Sequence, residues 1–421
     1  MITDLDRKYI ENKYHDTNKP FDAFRRMQYH GYEYPNNGLD DSEIIEGLKE
    51  YAQVLDGLSR PIVKARAIEY VLKNTTIDVN EHDYFIGVNS WNRLAEKITY
   101  DKWIRDLFAS IPEMNTTMQD YVSSGVMNVV PDFDHVIPDW KAILELGFNG
   151  IIERVKKYKN LHRENGTLTE EMADRFDAMV IEYTAIINFI ERLYNFAKEQ
   201  NNEKAKDVAD CLKRLHDGAP QNFYDALQMI YIYFMISESV DSYQVRSLGH
   251  GLDSTLYPFY KRDLENGTFT KDEMKNLLSY FLMQWTGIGN YFGQPTYLGG
   301  TDIDGKTKVN ELSYLILDLY SELGIFNPKV QIKVNYNTPK DFLFKAFEMV
   351  RKGQPCFVFC CEKGFIKAMM EYGVPLEEAV NFDIAGCYES KVRANEVSTA
   401  CSTFNMVKPV LYVMRRGLTS S

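Results

Sequence analysis

Residues 329–361 read KVQIKVNYNTPKDFLFKAFEMVRKGQPCFVFCC, and their patterning decides the fold class. Val330, Ile332 and Val334 alternate with Lys329, Gln331 and Lys333, the period of a strand with one buried face. Thr338-Pro339 supplies an N-cap and a first-turn proline, so a helix starts there and ends at Gly353. Cys356–Cys360 follows as a strand that is apolar throughout. Strand, helix, strand is the repeating unit of an α/β fold.

The alternation continues on both sides. Upstream, a strand at Thr296–Leu298 ends at Gly299-Gly300, and Asp304-Gly305 turns the chain. A helix from Asn310 to Glu322 then buries Leu312, Leu315, Ile316 and Leu319, and Gly324 closes it. Downstream come a helix around Phe365–Tyr372, a strand at Phe382–Ala385 and the loop Gly386-Cys387-Tyr388-Glu389. Before about residue 290 the pattern is mainly helical. Phe176, Met179, Val180, Tyr183, Ile186, Ile187, Ile190, Leu193 and Tyr194 recur at helix spacing, and Thr270 with Glu273 forms a capping box ahead of Leu277, Leu278, Phe281 and Trp285. With no internal repeat or low-complexity linker, the expectation is one domain over 1–421, mainly helical to about 290 and alternating strand and helix from about 291.

Composition narrows the function classes. The 421 residues are 45% hydrophobic, enough for a large core, and acidic residues outnumber basic ones by 60 to 48 for a net charge of −12. No long basic stripe follows a phosphate backbone, so nucleic acid is not an expected partner. The start, MITDLDRKYIENKYHD, has neither a basic n-region nor an apolar h-region, and no apolar run approaches the ~20 residues of a membrane helix. A cytoplasmic location without membrane association is expected. Of six cysteines, five fall at or after Cys356; no CxxC pair or Cys/His cluster is present, so neither a disulfide framework nor a bound metal is expected.

Cys387 stands just past a strand end, where α/β scaffolds collect catalytic groups. If 387–389 run extended, the Cys387 thiol and the Glu389 carboxylate share one side while Tyr388 turns away. Gly386 lets the backbone bend or approach a ligand closely. On its own the tripeptide is a weak signal, and a packed cysteine is the commoner reading beside a functional thiol.

Several stretches in order resemble the glycyl radical enzymes, the pyruvate formate-lyase superfamily. These are Glu81–Trp91 (EHDYFIGVNSW), Asp134–Ile151 (DHVIPDWKAILELGFNGI), Asp253–Tyr260 (DSTLYPFY), Gln294–Gly300, Asp302–Tyr314 (DIDGKTKVNELSY), Asn381–Ser390 (NFDIAGCYES) and Phe404–Gly417 (FNMVKPVLYVMRRG). The resemblance runs from about 80 to 417. It implies a ten-stranded α/β barrel of two half-barrels, of which this chain would hold the helical N-terminal part and the first half-barrel, ending in the cysteine loop 386–389. Family members continue for several hundred residues beyond that loop to an Arg-Val-x-Gly-type segment. The expectation is therefore that the radical glycine and second half-barrel lie outside this chain, which would be a truncated product or one half of a split enzyme.

The resemblance also implies chemistry. A protein glycyl radical, installed by a separate radical-SAM activase, would convert the Cys387 thiol to a thiyl that takes hydrogen from a small hydroxylated substrate. Glu389, its pKa raised by burial, would remove the hydroxyl proton as water or another group leaves. Such a thiol is neutral and dry, unlike a nucleophilic cysteine, and no lysine or histidine adjoins Cys387. Gly-Cys-x-Glu resembles the dehydratase and C–heteroatom lyase branch rather than formate-lyase, whose loop carries adjacent cysteines. His135 is the candidate proton donor to the leaving group, or else a histidine satisfying backbone groups before Pro138. Asp241 and Ser242 fall about where relatives line the pocket, although solvated loop residues read the same way. Cys360-Cys361 lies where relatives often carry Asn-Asp, and either shapes the pocket or fills core. Gly249-His250-Gly251 departs from the arginine that relatives show nearby, which leaves the substrate open. Expected partners are the small molecule, the activase, a second chain bearing the glycyl radical domain, and a homodimer for the complete enzyme. The alternatives are a formate-lyase-like C–C lyase and a catalytically inactive fragment or partner of a split enzyme.

Overall fold

The computed structural model describes residues 2–13, 36–90, 93–135, 137–241, 248–288, 295–385, 389–393 and 398–417, with backbone alone for 129–135 and 398–403. The N-terminal portion runs α1 (Asp4–Asn12), α2 (Asp41–Val54), α3 (Arg60–Asn74), α4 (Tyr100–Ser110), α5 (Pro112–Ser123), β1 (Met127–His135), α6 (Trp140–Glu164), α7 (Glu170–Glu199), α8 (Glu203–Asp217), α9 (Phe223–Ser239), α10 (Leu252–Glu265) and α11 (Lys271–Ile288). Then follow β2 (Thr296–Gly299), α12 (Glu311–Leu323), β3 (Val330–Val334), α13 (Lys340–Arg351), β4 (Phe357–Cys361), α14 (Glu362–Glu371), α15 (Leu376–Ala379), β5 (Asp383–Ala385), β6 (Glu389–Lys391), β7 (Ser398–Phe404) and α16 (Val407–Met414).

The core centres on α9 and α11. Nearly every side chain of α9 is buried, as a helix apolar on all sides requires. Phe234 and Phe281 meet the Trp285 ring edge-on at centroid distances of 4.4 and 5.3 Å. The capping box at Thr270 forms as the spacing predicts: the Glu273 amide donates to Thr270 Oγ1 at 3.2 Å and the Thr270 amide to Glu273 Oε2 at 2.7 Å. The chain's first turn is tied to this core through Asp6, whose carboxylate accepts from Tyr280 and from the Thr3 amide and lies 2.9 Å from His82 Nδ1. Burial pushes the Asp6 carboxyl up, but the hydrogen bonds from Tyr280, His82 and Thr3 outweigh it and hold the group well below the usual carboxylate range.

The alternation at 296–361 forms a parallel three-stranded sheet, β2-β3-β4, with α12 and α13 as crossovers. Asn310 caps α12 by accepting from the Leu312 and Ser313 amides, and Gly324 ends the helix at φ 63°, a left-handed conformation that glycine adopts without strain. Three expectations change. Strand β3 is buried on both faces, with Gln331 and Lys333 as covered as Val330, because it is the central strand with neighbours on either side. Pro339, not Thr338, is the N-cap of α13; the Thr338 hydroxyl instead accepts the Asn335 amide at 2.9 Å and closes the turn after β3. The strand expected at Phe382–Ala385 does not extend the parallel sheet among the described residues: as β5 it pairs antiparallel with β6. A further strand, β1, lies within the part expected to be helical and pairs antiparallel with β7, so the chain's middle is joined to its C-terminal portion.

Candidate active site

The β5–β6 hairpin is the local structure around Gly386-Cys387-Tyr388, which themselves lie outside the described residues. Asp383 pairs with Lys391, Ile384 with Ser390 and Ala385 with Glu389, so the register closes directly around those three positions. Phe382, Ile384 and Val392 anchor the hairpin in a small apolar cluster with Cys360, Met369 and Ala379. Glu389 is exposed at the start of β6, so the burial expected of it is not met within this chain; the cluster covers only the hairpin's other residues.

A network of charged groups crosses beneath the hairpin. Asp383, fully buried, accepts from Arg393 Nη2 at 3.1 Å and Nε at 3.3 Å, from the His250 amide at 3.1 Å and from the Tyr297 hydroxyl. Arg393 Nη2 also donates to the Tyr297 oxygen at 2.7 Å. His250 Nε2 lies 3.3 Å from the other Asp383 oxygen. Lys333 reaches up from β3 to donate to the Phe382 carbonyl, with its ammonium 3.9 Å from the Tyr297 ring centre and 3.7 Å from that of Phe382. Burial raises the Asp383 carboxyl, but the opposed charges of Arg393 and His250 dominate and leave it depressed. Burial also lowers His250 to about 4 and Lys333 to about 7. Beside the network is a cavity of about 370 Å³ lined by Lys141, Glu145, His250, Ser254, Thr255 and Arg393.

The C-terminal ends of the parallel strands meet at Glu362. This buried carboxylate accepts from the Thr301 amide at 2.9 Å, the Thr301 hydroxyl at 2.6 Å and Asn335 Nδ2 at 2.8 Å. Gly300, at φ 97°, allows the approach: a Cβ there would lie 3.0 Å from Glu362 Oε1. Opposite the first strand, Asp253 is fully buried and accepts from the Gly299 amide at 2.9 Å, the Ser254 amide at 2.8 Å and the Ser313 hydroxyl at 2.5 Å. It thus ties α10, β2 and α12 together, and burial raises its carboxyl to about 6.

The remaining candidates separate. Ser242, like Cys387, is outside the described residues. Asp241 is buried two residues past α9 and forms an ion pair of 2.7 Å with Lys64 of α3. His135 is the last residue of β1, its backbone in register with Ser398 of β7, which brings its segment close in the fold to the chain that follows the hairpin. Cys360 points into the hairpin's apolar cluster, and burial pushes its thiol up; Cys361, next along the strand, is exposed. The Asp383–Arg393 network was missed from sequence. Its signal was a charged residue inside each of two apolar stretches, Lys333 in VQIKV and Asp383 in NFDIAG. Among the described residues no group of three metal-ligating side chains is found, and no helix is long and apolar enough to cross a membrane.

Comparison with known proteins identifies relatives and the family. A (2S)-3-sulfopropanediol dehydratase from Klebsiella oxytoca is 25% identical over 353 residues, covering 75% of this chain and 42% of that protein. Trans-4-hydroxy-L-proline dehydratase from Clostridioides difficile is 28% identical over 270 residues, covering 59% of this chain and 33% of its own length. The chain thus spans less than half the length of these curated relatives. The crystal structure of a glycyl radical enzyme from Archaeoglobus fulgidus superposes with a TM-score of 0.78 at 22% identity, over 89% of this chain and 56% of that one. The family model described as pyruvate formate lyase-like matches residues 10–421, and the chain belongs to that family.

Proposed function

We propose that this chain supplies the cysteine-bearing portion of a glycyl radical lyase that eliminates water or another group from a small hydroxylated molecule. The observation that carries the reading is the β5–β6 hairpin: its register closes around residues 386–388 and leaves Glu389 as the first paired residue beyond Cys387. The names of the two relatives, dehydratases of a sulfonated diol and of a hydroxylated amino acid, support elimination from a hydroxyl-bearing carbon skeleton.

A protein glycyl radical would supply the acceptor for the hydrogen atom of the Cys387 thiol. The sulfur then takes a hydrogen atom from the carbinol carbon of the substrate, re-forming S–H. Glu389 accepts the hydroxyl proton, which makes expulsion of the neighbouring leaving group favourable. His135 delivers a proton to that group as it departs, and the thiol returns its hydrogen atom to the product carbon, so that Cys387 is ready for re-use. Asp241 is not included, because its carboxylate is committed to Lys64.

Exposure of Glu389 supports a site that is completed by further polypeptide. Strand β4 pairs with β3 alone among the described residues, and apolar side chains lie exposed beside it: Phe344 at 66%, Phe347 at 47% and Phe359 at 37%. The occupant we assign to this face is polypeptide equivalent to the 44% of the Archaeoglobus enzyme that this chain does not cover, the remainder of 56%. Strand addition at β4 would continue the sheet towards the ten-stranded barrel. The chemistry of the cysteine then calls on the glycine-bearing part of the fold and on a radical-SAM activase.

The test is anaerobic activation of the chain with both components, followed by electron paramagnetic resonance and product analysis on small diols and hydroxy acids. A radical signal with product, both requiring this chain, is expected. Intact signal from the glycine-bearing partner without any product, across diols, amino alcohols and hydroxy acids, would favour a folded partner without chemistry of its own.

A further inference from the structure

A hairpin of two three-residue strands has too few backbone hydrogen bonds to hold its shape unaided. Apolar packing secures one side of it through Ile384. The other restraint is the charged network, and its connectivity is specific. Asp383 opens β5 and Arg393 follows β6 by two residues, so their ion pair cross-links the two arms ten residues apart. The Tyr297 hydroxyl contacts both partners and thereby fastens the pair to the parallel sheet. His250 contributes its amide from a loop bent through three successive left-handed residues, Gly249, His250 and Gly251, at φ 53°, 50° and 73°. For a histidine that conformation is strained, and it persists where surrounding contacts over-determine it. Gly249 cannot be replaced without conflict, since a Cβ there would lie 2.3 Å from Ile137 Cγ2.

We infer that Asp383 and Arg393, fastened by Tyr297 and His250, form an electrostatic latch that sets the geometry of the β5–β6 hairpin and so positions Cys387 and Glu389. They are positioning residues, since they act through the backbone of the hairpin. The role in chemistry rests on the reading of Cys387 and Glu389 given above; the latch itself does not.

Removing the Arg393 guanidinium leaves Asp383 buried without its main counter-charge, and breaking a buried pair is among the more costly single changes a fold experiences. The consequence falls first on the hairpin. Hydrogen exchange read by mass spectrometry on the whole chain separates this local effect from global loosening. In Arg393→Gln, peptides covering 383–393 should exchange at least about tenfold faster while those from α7 and β3 keep their rates. Arg393→Lys keeps charge without the planar fork and should recover part of the protection. Tyr297→Phe removes one hydroxyl, leaves the packing in place, and should give a smaller increase confined to the same peptides; it serves if Arg393→Gln does not fold. Alkylation of Cys387, referenced to exposed Cys361, should rise in parallel with the exchange. Hairpin exchange within twofold of the parent in Arg393→Gln or, where that variant does not fold, in Tyr297→Phe, or an increase spread evenly over the chain, overturns the latch. Product formation that survives Cys387→Ser in the reconstituted enzyme refutes the reading of the cysteine instead, and leaves the exchange result standing.

Discussion

Replacing Asp253 with alanine should destabilise the chain by an amount that shrinks as pH rises. The carboxylate holds the Gly299 amide and the Ser313 hydroxyl, both buried, at 2.9 and 2.5 Å. Leaving two such donors without an acceptor costs roughly 1–3 kcal/mol each, so about 2–6 kcal/mol is expected while the carboxyl is protonated. Burial raises this group from 3.8 to about 6. A folded-state pKa above the unfolded one means that the folded chain binds more protons between the two values; the group's contribution is therefore complete below pH 3.8 and declines as pH passes through 6. The shift of roughly two units corresponds to about 3 kcal/mol, of which about 2–3 kcal/mol should be lost between pH 4 and pH 7. Alanine cannot ionise. The difference between parent and Asp253→Ala should thus be largest near pH 4 and smallest at pH 7, and Asp253→Asn, which keeps one acceptor, should cost less than alanine at either pH. Urea unfolding followed by tryptophan fluorescence at the two pH values gives both differences. A gap that stays constant, or widens towards pH 7, would refute the assignment of a buried carboxyl whose hydrogen bonds do not offset its desolvation.

Other consequences follow from the same physics. His250 is buried and lowered from 6.5 to about 4, so the unfolded chain binds more protons between those values and the parent should lose roughly 3 kcal/mol as pH falls from 6.5 to 4; in His250→Asn that portion of the pH dependence should vanish from the urea midpoints. Asp6 shows the usual carboxylate sense: its pKa is depressed, its contribution is present above about pH 4 and lost below, and Asp6→Ala should lower stability by about 1–3 kcal/mol at pH 7 by stranding the buried Tyr280 hydroxyl, as read by thermal melting. Among the cysteines, Cys361 should react with an aromatic disulfide in the folded chain whereas Cys360 should react only on unfolding; equal rates for the two would contradict the alternation of β4.

Period-two and capping signals locate β2, α12, β3, α13 and β4 to within a residue or two, because each of those elements is bounded by local chemistry such as Asn310 before α12 and Gly324 after it. What the local pattern does not carry is the partner of each strand. Lys333 and Gln331 read as solvent-facing in VQIKV because alternation assumes one open face, and only the tertiary neighbours β2 and β4, with the ring of Phe382 above, make a buried lysine tolerable. Strand β1 escaped for a similar reason: MNVVPDFDH contains a proline and four polar residues, and it holds its extended form by pairing with β7, some 270 residues away. Of the candidate site, Gly386-Cys387-Tyr388-Glu389 reads as a motif in the sequence, and of these four the structure describes Glu389. The Asp383–Arg393 latch was not, since no spacing rule links residues whose meeting depends on a hairpin, a helix-leading loop and a sheet strand at once.

The central claim is that Cys387 exchanges a hydrogen atom with substrate. The most direct measurement uses a small 1,2-diol that gives product in the reconstituted reaction of the proposed function, deuterated at C1 and given anaerobically to the chain activated with a glycine-bearing polypeptide of the family. Deuterium lost from C1 should appear at C2 of the aldehyde, having passed through the thiol, and Cys387→Ser should abolish both product and transfer while the glycyl radical signal remains. Product formed by Cys387→Ser, with deuterium still moving from C1 to C2, would contradict the account.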